Sequence, residues 1–380
     1  MKPVYLDNNA TTRLDPRVMA AMVPYFEEQY GNASSTQNSF GLFASRAVEK
    51  SRELIAAYFG AKPGEIVFTS GASESINTAI KGVIELLYPK KDHLIVSKIE
   101  HPAVLAVCSY LSAKGIHITQ IGVDSEGFID LEQLAGAITP KTALVSVIAA
   151  NNEIGTIQDL EAISRVVKDH DSLLHMDFAQ GNGRVELDLN KVTADFVSFS
   201  AHKSNGPKGI GALFIRENLQ REFPALIHGG NQELGLRGGT LNVPLIVGFK
   251  EAIQLLQQEG EAENERMCFL RDALYEGICS NLKNVYLNGP QKRRLVTNLN
   301  VLLPDIDANR LLRTVKNVAF STGSACASQN PEPSHVLLAI GRTREEARSC
   351  FRFGVSRFTT TEEITYAVEE IASAAKISYK

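Results

Sequence analysis

An α/β fold with a mainly parallel sheet is predicted for this 380-residue chain by two observations. Apolar runs of strand length alternate with helical patterns from about residue 45 to about residue 250, the order that places helices against a parallel sheet. The chain is also long enough to bury one large core and to carry a second, smaller domain.

The expected strands lie at residues 65–69, 93–97, 117–123, 142–149, 173–176, 196–200 and 211–215, which makes a seven-stranded sheet. Helices fill the gaps. Residues 46–58 set Ala47, Val48, Leu54, Ile55 and Tyr58 near one helical face, and Leu160, Ile163, Val166 and Val167 repeat that pattern. The charged stretch 257–271 reads as a long helix leading out of the sheet domain, and Thr360 with Glu363 forms a capping-box pattern before Ile364, Val368 and Ile371. The expected division is a large domain at 15–250 and a smaller α+β domain at 251–380, with residues 1–14 packing on the smaller one. The sequence shows no internal repeat, low-complexity segment or flexible linker.

A net charge of −4 with interspersed signs gives no basic stripe, so nucleic acid is not an expected partner. No apolar run reaches the length of a signal peptide or a membrane span, and the expectation is a soluble, cytoplasmic protein. The cysteines at 108, 268, 279, 326 and 350 lack the spacing of a zinc site, so free thiols and no metal are expected. Cys108, Cys268 and Cys279 lie in helical or apolar segments and read as small core residues. Cys326 instead sits among Ser, Gly, Ala, Asn and Pro, the composition of an exposed loop.

The apolar strand at 196–200 runs into Ala201, His202 and Lys203 and then breaks into a glycine-rich turn, Ser204-Asn205-Gly206-Pro207-Lys208-Gly209. A lysine there can hold an aldehyde cofactor as a Schiff base. Upstream, the run Leu173-Leu174-His175-Met176 ends on Asp177, a carboxylate able to pair with a protonated pyridine nitrogen. Pyridoxal 5'-phosphate requires both groups. Gly71-Ala72-Ser73 follows a strand and opens a helical run at 74–84, so backbone N–H groups and a helix N-terminus are available to an anion.

Taken together, Tyr5-Leu6-Asp7, Thr69-Ser70-Gly71-Ala72-Ser73-Glu74, Glu100-His101-Pro102, Asn151-Asn152-Glu153-Ile154-Gly155, His175-Met176-Asp177, Ser200-Ala201-His202-Lys203, Arg237-Gly238-Gly239-Thr240, Ser324-Ala325-Cys326 and Arg357-Phe358-Thr359-Thr360 resemble the cysteine desulfurases. These are fold-type I pyridoxal-phosphate enzymes of the class V aminotransferase family. The resemblance spans nearly the whole chain. It implies that Lys203 binds the cofactor and shuttles the substrate's α-proton, that Asp177 keeps the ring nitrogen protonated, and that His101 stacks on the ring and assists proton transfer. Ala72, Ser73, Ser200 and His202 are implied as phosphate ligands, with Thr240 reaching over from a neighbouring subunit of a homodimer. Asn152 and Gln180 are implied to contact cofactor or substrate, and Arg352 to take the substrate carboxylate through paired hydrogen bonds. Arg357 reads as a structural ion pair, and nothing marks Cys350 as reactive.

The implied reaction takes sulfur from L-cysteine, leaving L-alanine and a Cys326 persulfide, which is passed to an acceptor protein such as an iron–sulfur scaffold. A selenocysteine lyase, an aminotransferase in which Cys326 is dispensable, and a catalytically weak sulfur carrier are the competing readings. Against the commoner family pattern, Ala33, Gln37, Ser73, Phe178 and Asn205 are departures.

Overall fold

The computed structural model describes residues 3–322 and 332–379. Cys326 and the loop around it lie outside the described residues. From the N-terminus, β1 (Val4–Tyr5) leads through α1 (Pro16–Met22) and α2 (Pro24–Glu27) into α3 (Ser39–Tyr58). The sheet region follows as β2 (Ile66–Thr69), α4 (Ala72–Leu87), β3 (His93–Ser97), α5 (Pro102–Ser112), β4 (His117–Ile121), α6 (Leu131–Ala137), β5 (Thr142–Ile148), α7 (Leu160–Lys168), β6 (Leu173–Asp177), β7 (Phe196–Ser200) and β8 (Gly211–Ile215). All seven expected strands form, each within two residues of its expected ends.

These strands make one sheet in the order β2-β8-β7-β6-β5-β3-β4. It is parallel except for β8, which runs antiparallel to both β2 and β7. Successive strand residues point to opposite faces, and both faces are covered. Val145, Val147, Val197 and Phe199 pack into one core with α3, α7 and the start of the long helix that follows. Leu94, Leu144, Phe196 and Leu213 pack into another with α4 and α5. That double burial explains why the strands read as continuous apolar runs.

The long helix, α8 (Val243–Asn281), is 39 residues and extends beyond the charged stretch that announced it. Its Ile246, Phe249, Ile253 and Leu256 belong to the sheet core, whereas Met267, Leu270, Leu274 and Ile278 belong to a separate core. Whereas α10 (His335–Ala339) and α11 (Arg344–Ala347) pack with Ile99, Ile148 and Ile154 in a cluster of their own, that second core is built on β9 (Tyr286–Leu287), β10 (Asn298–Leu302), α9 (Ala308–Thr314), β11 (Val318–Ala319), β13 (Cys350–Gly354) and α12 (Thr361–Ala375), with β12 (Ser321–Thr322) beside β13. Here an antiparallel sheet runs β12-β13-β10-β9. β1 pairs in parallel with β11, and Val4 and Leu6 join this smaller core. α12 starts with the expected capping box, Thr360 accepting from Glu363 N and Glu363 from Thr360 N.

One expectation is corrected. Cys108 is buried, but Cys268 is only half-buried and Cys279 is exposed, because both lie where α8 turns its outer side to solvent. Periodicity identified the helix but not which of its faces would be covered.

Candidate functional site

The candidate residues gather at the carboxyl ends of β3, β5, β6 and β7, where open α/β sheets bind their ligands. Asp177 is the last residue of β6 and is almost fully buried. Its Oδ1 accepts from Ala179 N at 3.0 Å. Burial raises its pKa, opposed by the charges of His101 and Lys203. Behind it, His175 lies between Ser146 Oγ and Ser198 Oγ, each at 2.8 Å. Burial pushes that imidazole down to about 3, so it is neutral.

Lys203 closes a 3-10 turn that continues β7, and its Nζ donates to the carbonyls of Asn9 and Ala10, each at 2.7 Å. The preceding His202 meets Thr11 Oγ1 through Nδ1 at 3.0 Å, while Thr12 Oγ1 donates to its carbonyl at 2.8 Å. Burial, aided by Lys203, pushes His202 down to about 4. Asn205 follows at φ 60°, a backbone conformation that asparagine accepts better than most residues. Its N–H donates to Thr12 Oγ1 and its Nδ2 to Arg13 O, both at 2.8 Å. The departure at Asn205 therefore has a local reason.

His101 is the N-cap of α5. Its Nδ1 accepts from Ala103 N at 3.1 Å, which leaves the proton on Nε2. Burial lowers its pKa, with Asp177 acting in the opposite direction and Lys203 in the same one. The residue before it, Glu100, is wholly buried. Its Oε1 accepts from Ser97 Oγ and from Ile148 N, and its Oε2 has no partner.

The first N–H groups of a helix lack intrahelical partners, and those of Ala72 and Ser73 open α4. Gly71 precedes them at φ 147°, and a Cβ there would point into open space. Gly211 permits the arrangement, since a Cβ on it would come within 2.7 Å of Gly71 Cα. Gly211 also pairs in register with Ser200, so the α4 N-terminus, Ser200 and the turn carrying His202 are neighbours. Arg237 Nε donates to Glu74 Oε1 at 2.9 Å, which ties the Arg237–Thr240 segment to the first turn of α4, and Thr240 is exposed.

Arg352, on β13, is 1% exposed. Its Nη2 meets Asp7 Oδ1 at 2.8 Å and its Nη1 reaches the Asn152 carbonyl at 3.4 Å, while Nε has no partner. Gln180 Nε2 donates to Asn9 O at 3.0 Å. Arg357 is a structural ion pair, bonded to Asp15 at 2.7 Å and to Glu263 at 3.0 Å. Cys350 is buried between Asn288 Nδ2 and Glu346 O, and burial pushes its thiol up to about 12.

Sequence reasoning took Asp7 only as part of a motif and gave the Asp7–Thr12 segment no role, although it touches Lys203, His202, Gln180 and Arg352. Its signal was a run of small polar residues directly after an apolar strand, with no turn or helix pattern to explain it. Glu100 was read only as part of a motif.

Together these residues offer anion-binding N–H groups and hydroxyls at one end, a buried carboxyl at another, and an amine on the neighbouring strand. That set fits a phosphorylated pyridine aldehyde: Asp177 has an oxygen left for a ring N–H, and the cradle at Gly71 has room for a phosphate.

The sequence matches the class-V aminotransferase family over residues 4–366. It is 45% identical to the cysteine desulfurase IscS of Rickettsia typhi over 371 residues, covering 98% of this chain and 90% of that protein. The IscS of Methylococcus capsulatus is also 45% identical, over 97% of this chain and 91% of its own length. Among solved structures, a NifS-like protein superposes with a TM-score of 0.92 at 38% identity, covering 99% of this chain and 100% of that one. SspA in complex with cysteine gives a TM-score of 0.84 at 37% identity, covering 95% and 100%.

Proposed function

The chain belongs to the class-V aminotransferase family and is a cysteine desulfurase, and on that premise we propose that Lys203, Asp177, His101, Arg352 and Cys326 carry its reaction. The observation that supports this most directly is the convergence of Asp177 and Lys203 on adjacent strand ends, with His101 coupled electrostatically to both. Pyridoxal 5'-phosphate, when bound, supplies an aldehyde for an amine and a ring that accepts the electron pair left when the substrate Cα–H bond breaks. Ala72, Ser73, Ser200 and His202 would hold its phosphate, with Thr240 added by a second subunit. Asp177 would keep its ring nitrogen protonated, His101 would lie against its ring, and Gln180 and Asn152 would contact its edge or the substrate.

The protein groups then divide the work. Arg352 presents its guanidinium to the carboxylate of L-cysteine, and Asp7 holds that guanidinium in place. The Nζ of Lys203, once neutral, takes the α-proton and returns it at a later step. The Asn9 and Ala10 carbonyls accept its N–H donors in the meantime. The Cys326 thiolate attacks the substrate sulfur, so an S–S bond forms as the substrate C–S bond breaks. The electron pair of that bond stays with the carbon, which gains a proton to become the methyl group of L-alanine. Cys326 keeps the sulfur as a persulfide for an acceptor protein, for which an iron–sulfur scaffold is a suitable class.

A division into a large unit (15–250) and a smaller unit (251–380) that carries Cys326, with 1–14 packed on the smaller, accords with the two cores that meet along α8. A homodimer is favoured by the exposed Phe26, Tyr30, Phe40 and Phe43 near the start of α3 and by the exposed position of Thr240. No helix of the described residues is long and apolar enough to cross a membrane, which is compatible with a cytoplasmic enzyme.

The test is an assay with pyridoxal phosphate, L-cysteine and a thiol reductant, counting sulfide and alanine for wild type, Lys203→Ala and Cys326→Ser. Equal yields from wild type and none from either variant are expected. Alanine or keto acid that persists in Cys326→Ser would overturn the role of Cys326 and leave a lyase or an aminotransferase. A monomer by light scattering that still retains cofactor tightly would remove Thr240 from the site.

A further inference from the structure

We propose that Glu100 is a positioning residue: as a neutral acid behind the site, it takes the proton that two neighbouring buried carboxyls would otherwise share, leaving Asp177 as the anion there. The inference rests on Asp177 being the partner of the cofactor ring.

The geometry carries it. Glu100 has no exposed surface, and the partners of its carboxyl among the described residues are the neutral donors Ser97 Oγ and Ile148 N. A carboxylate buried without a cation is far costlier than the protonated acid. Its hydrogen bonds are also uneven. Ser97 Oγ and Ile148 N both donate to Oε1, while Oε2 has no partner and is left to carry the proton. Ile148 is the register partner of Asp177 across β5 and β6, so the two carboxyls are joined through one pair of strand residues.

The groups around Glu100 divide by element. From β6 comes Asp177, whose charge disfavours ionisation of Glu100. From α5 come its cap His101 and the inert thiol of Cys108, and from α10 comes His335, whose Nε2 meets the Glu100 carbonyl at 2.9 Å. Burial raises the pKa of Asp177 as well, but His101 and Lys203 both favour its charge, whereas no cation does so for Glu100 among the causes of its shift. Two buried carboxyls that feel each other's charge cannot both ionise cheaply, and the cationic neighbours of Asp177 favour it as the one that does. Burial pushes Glu100 up to about 8, which agrees with the neutral assignment at neutral pH.

The test reads the proton directly. Infrared difference spectra of the holoenzyme, recorded from about pH 6 to about pH 10, follow the C=O band of buried carboxylic acids for wild type, Glu100→Gln, Asp177→Asn and Glu153→Gln, the last marking another buried acid whose pKa burial raises. The expected result is an acid band that Glu100→Gln removes, that Asp177→Asn leaves in place, and that wild type loses around pH 8. Ser97→Ala deletes a donor that favours the charged form, so it should move that loss upward by about one pH unit. This arm stands even if Glu100→Gln does not fold. A band that survives Glu100→Gln and vanishes in Asp177→Asn, or a Ser97→Ala profile that matches wild type, would overturn the proposal. If Asp177→Asn leaves cofactor affinity unchanged, the reading of Asp177 fails instead, whatever the band does.

Discussion

Replacing Arg357 by methionine should lower stability by about 3 kcal/mol, the lower end of what removing one partner from a buried ion pair costs. The guanidinium is 4% exposed and bridges Asp15, at the start of α1, to Glu263 on α8. Were either acid left alone in the interior, the cost would reach the upper end of that range. Neither is. Asp15 keeps Arg17 at 2.9 Å and Glu263 keeps Arg184 at 3.7 Å, while methionine replaces part of the apolar stem. Guanidinium unfolding followed by circular dichroism, in a chain without tryptophan, measures the loss, and Asp15→Asn completes a double-mutant cycle. The pH dependence gives a second reading. Burial alone would raise the Asp15 pKa, but hydrogen bonds from Arg17 and Arg357 outweigh it and hold the group at about 2. Its stabilisation is therefore present above the unfolded carboxylate pKa and is lost as pH falls toward about 2. In Arg357→Met that acid-side slope should shrink. A stability change under about 1 kcal/mol would refute the argument. So would intact stability with lost cysteine binding, which would transfer the substrate carboxylate from Arg352 to Arg357.

Glu153, buried and bonded to Ser334 Oγ, is raised to about 7 by burial. The folded state thus holds its proton more tightly than the unfolded chain, so stability falls as pH climbs from the unfolded value to about 7. Glu153→Gln should remove up to about 1.4 kcal/mol per pH unit of that slope in denaturant titrations between about pH 5 and about pH 7. Iodoacetamide should label Cys279 in the native protein well before Cys108 or Cys350, whose thiols are buried and pushed up to about 12; equal rates by mass spectrometry would contradict that order. Asn205→Gly should cost about 1 kcal/mol, chiefly the lost bond to Arg13, whereas Asn205→Val adds a β-branched side chain at φ 60° and should cost at least about 2 kcal/mol more. Matching thermal shifts for the two would show that the backbone conformation does not matter there.

The sequence by itself determined the seven sheet strands, because burial on both faces writes an unbroken apolar run that turns interrupt. It also singled out Lys203 and Asp177 as candidates, since a charged residue at the end of such a run contrasts with its surroundings. The long helix was legible only in its charged middle: its ends pack into two different cores, and a helix that changes neighbours has no single apolar stripe to follow. For the same reason Cys268 and Cys279 were misread. Only the tertiary structure decided that the Asp7–Thr12 segment lies against Lys203 and His202, since those contacts run through carbonyls and hydroxyls nearly two hundred residues apart and leave no periodic trace. The surroundings of Glu100 were likewise invisible, because the neutral donors Ser97 and Ile148 that meet its carboxyl among the described residues are a fact of three-dimensional neighbours, not of sequence.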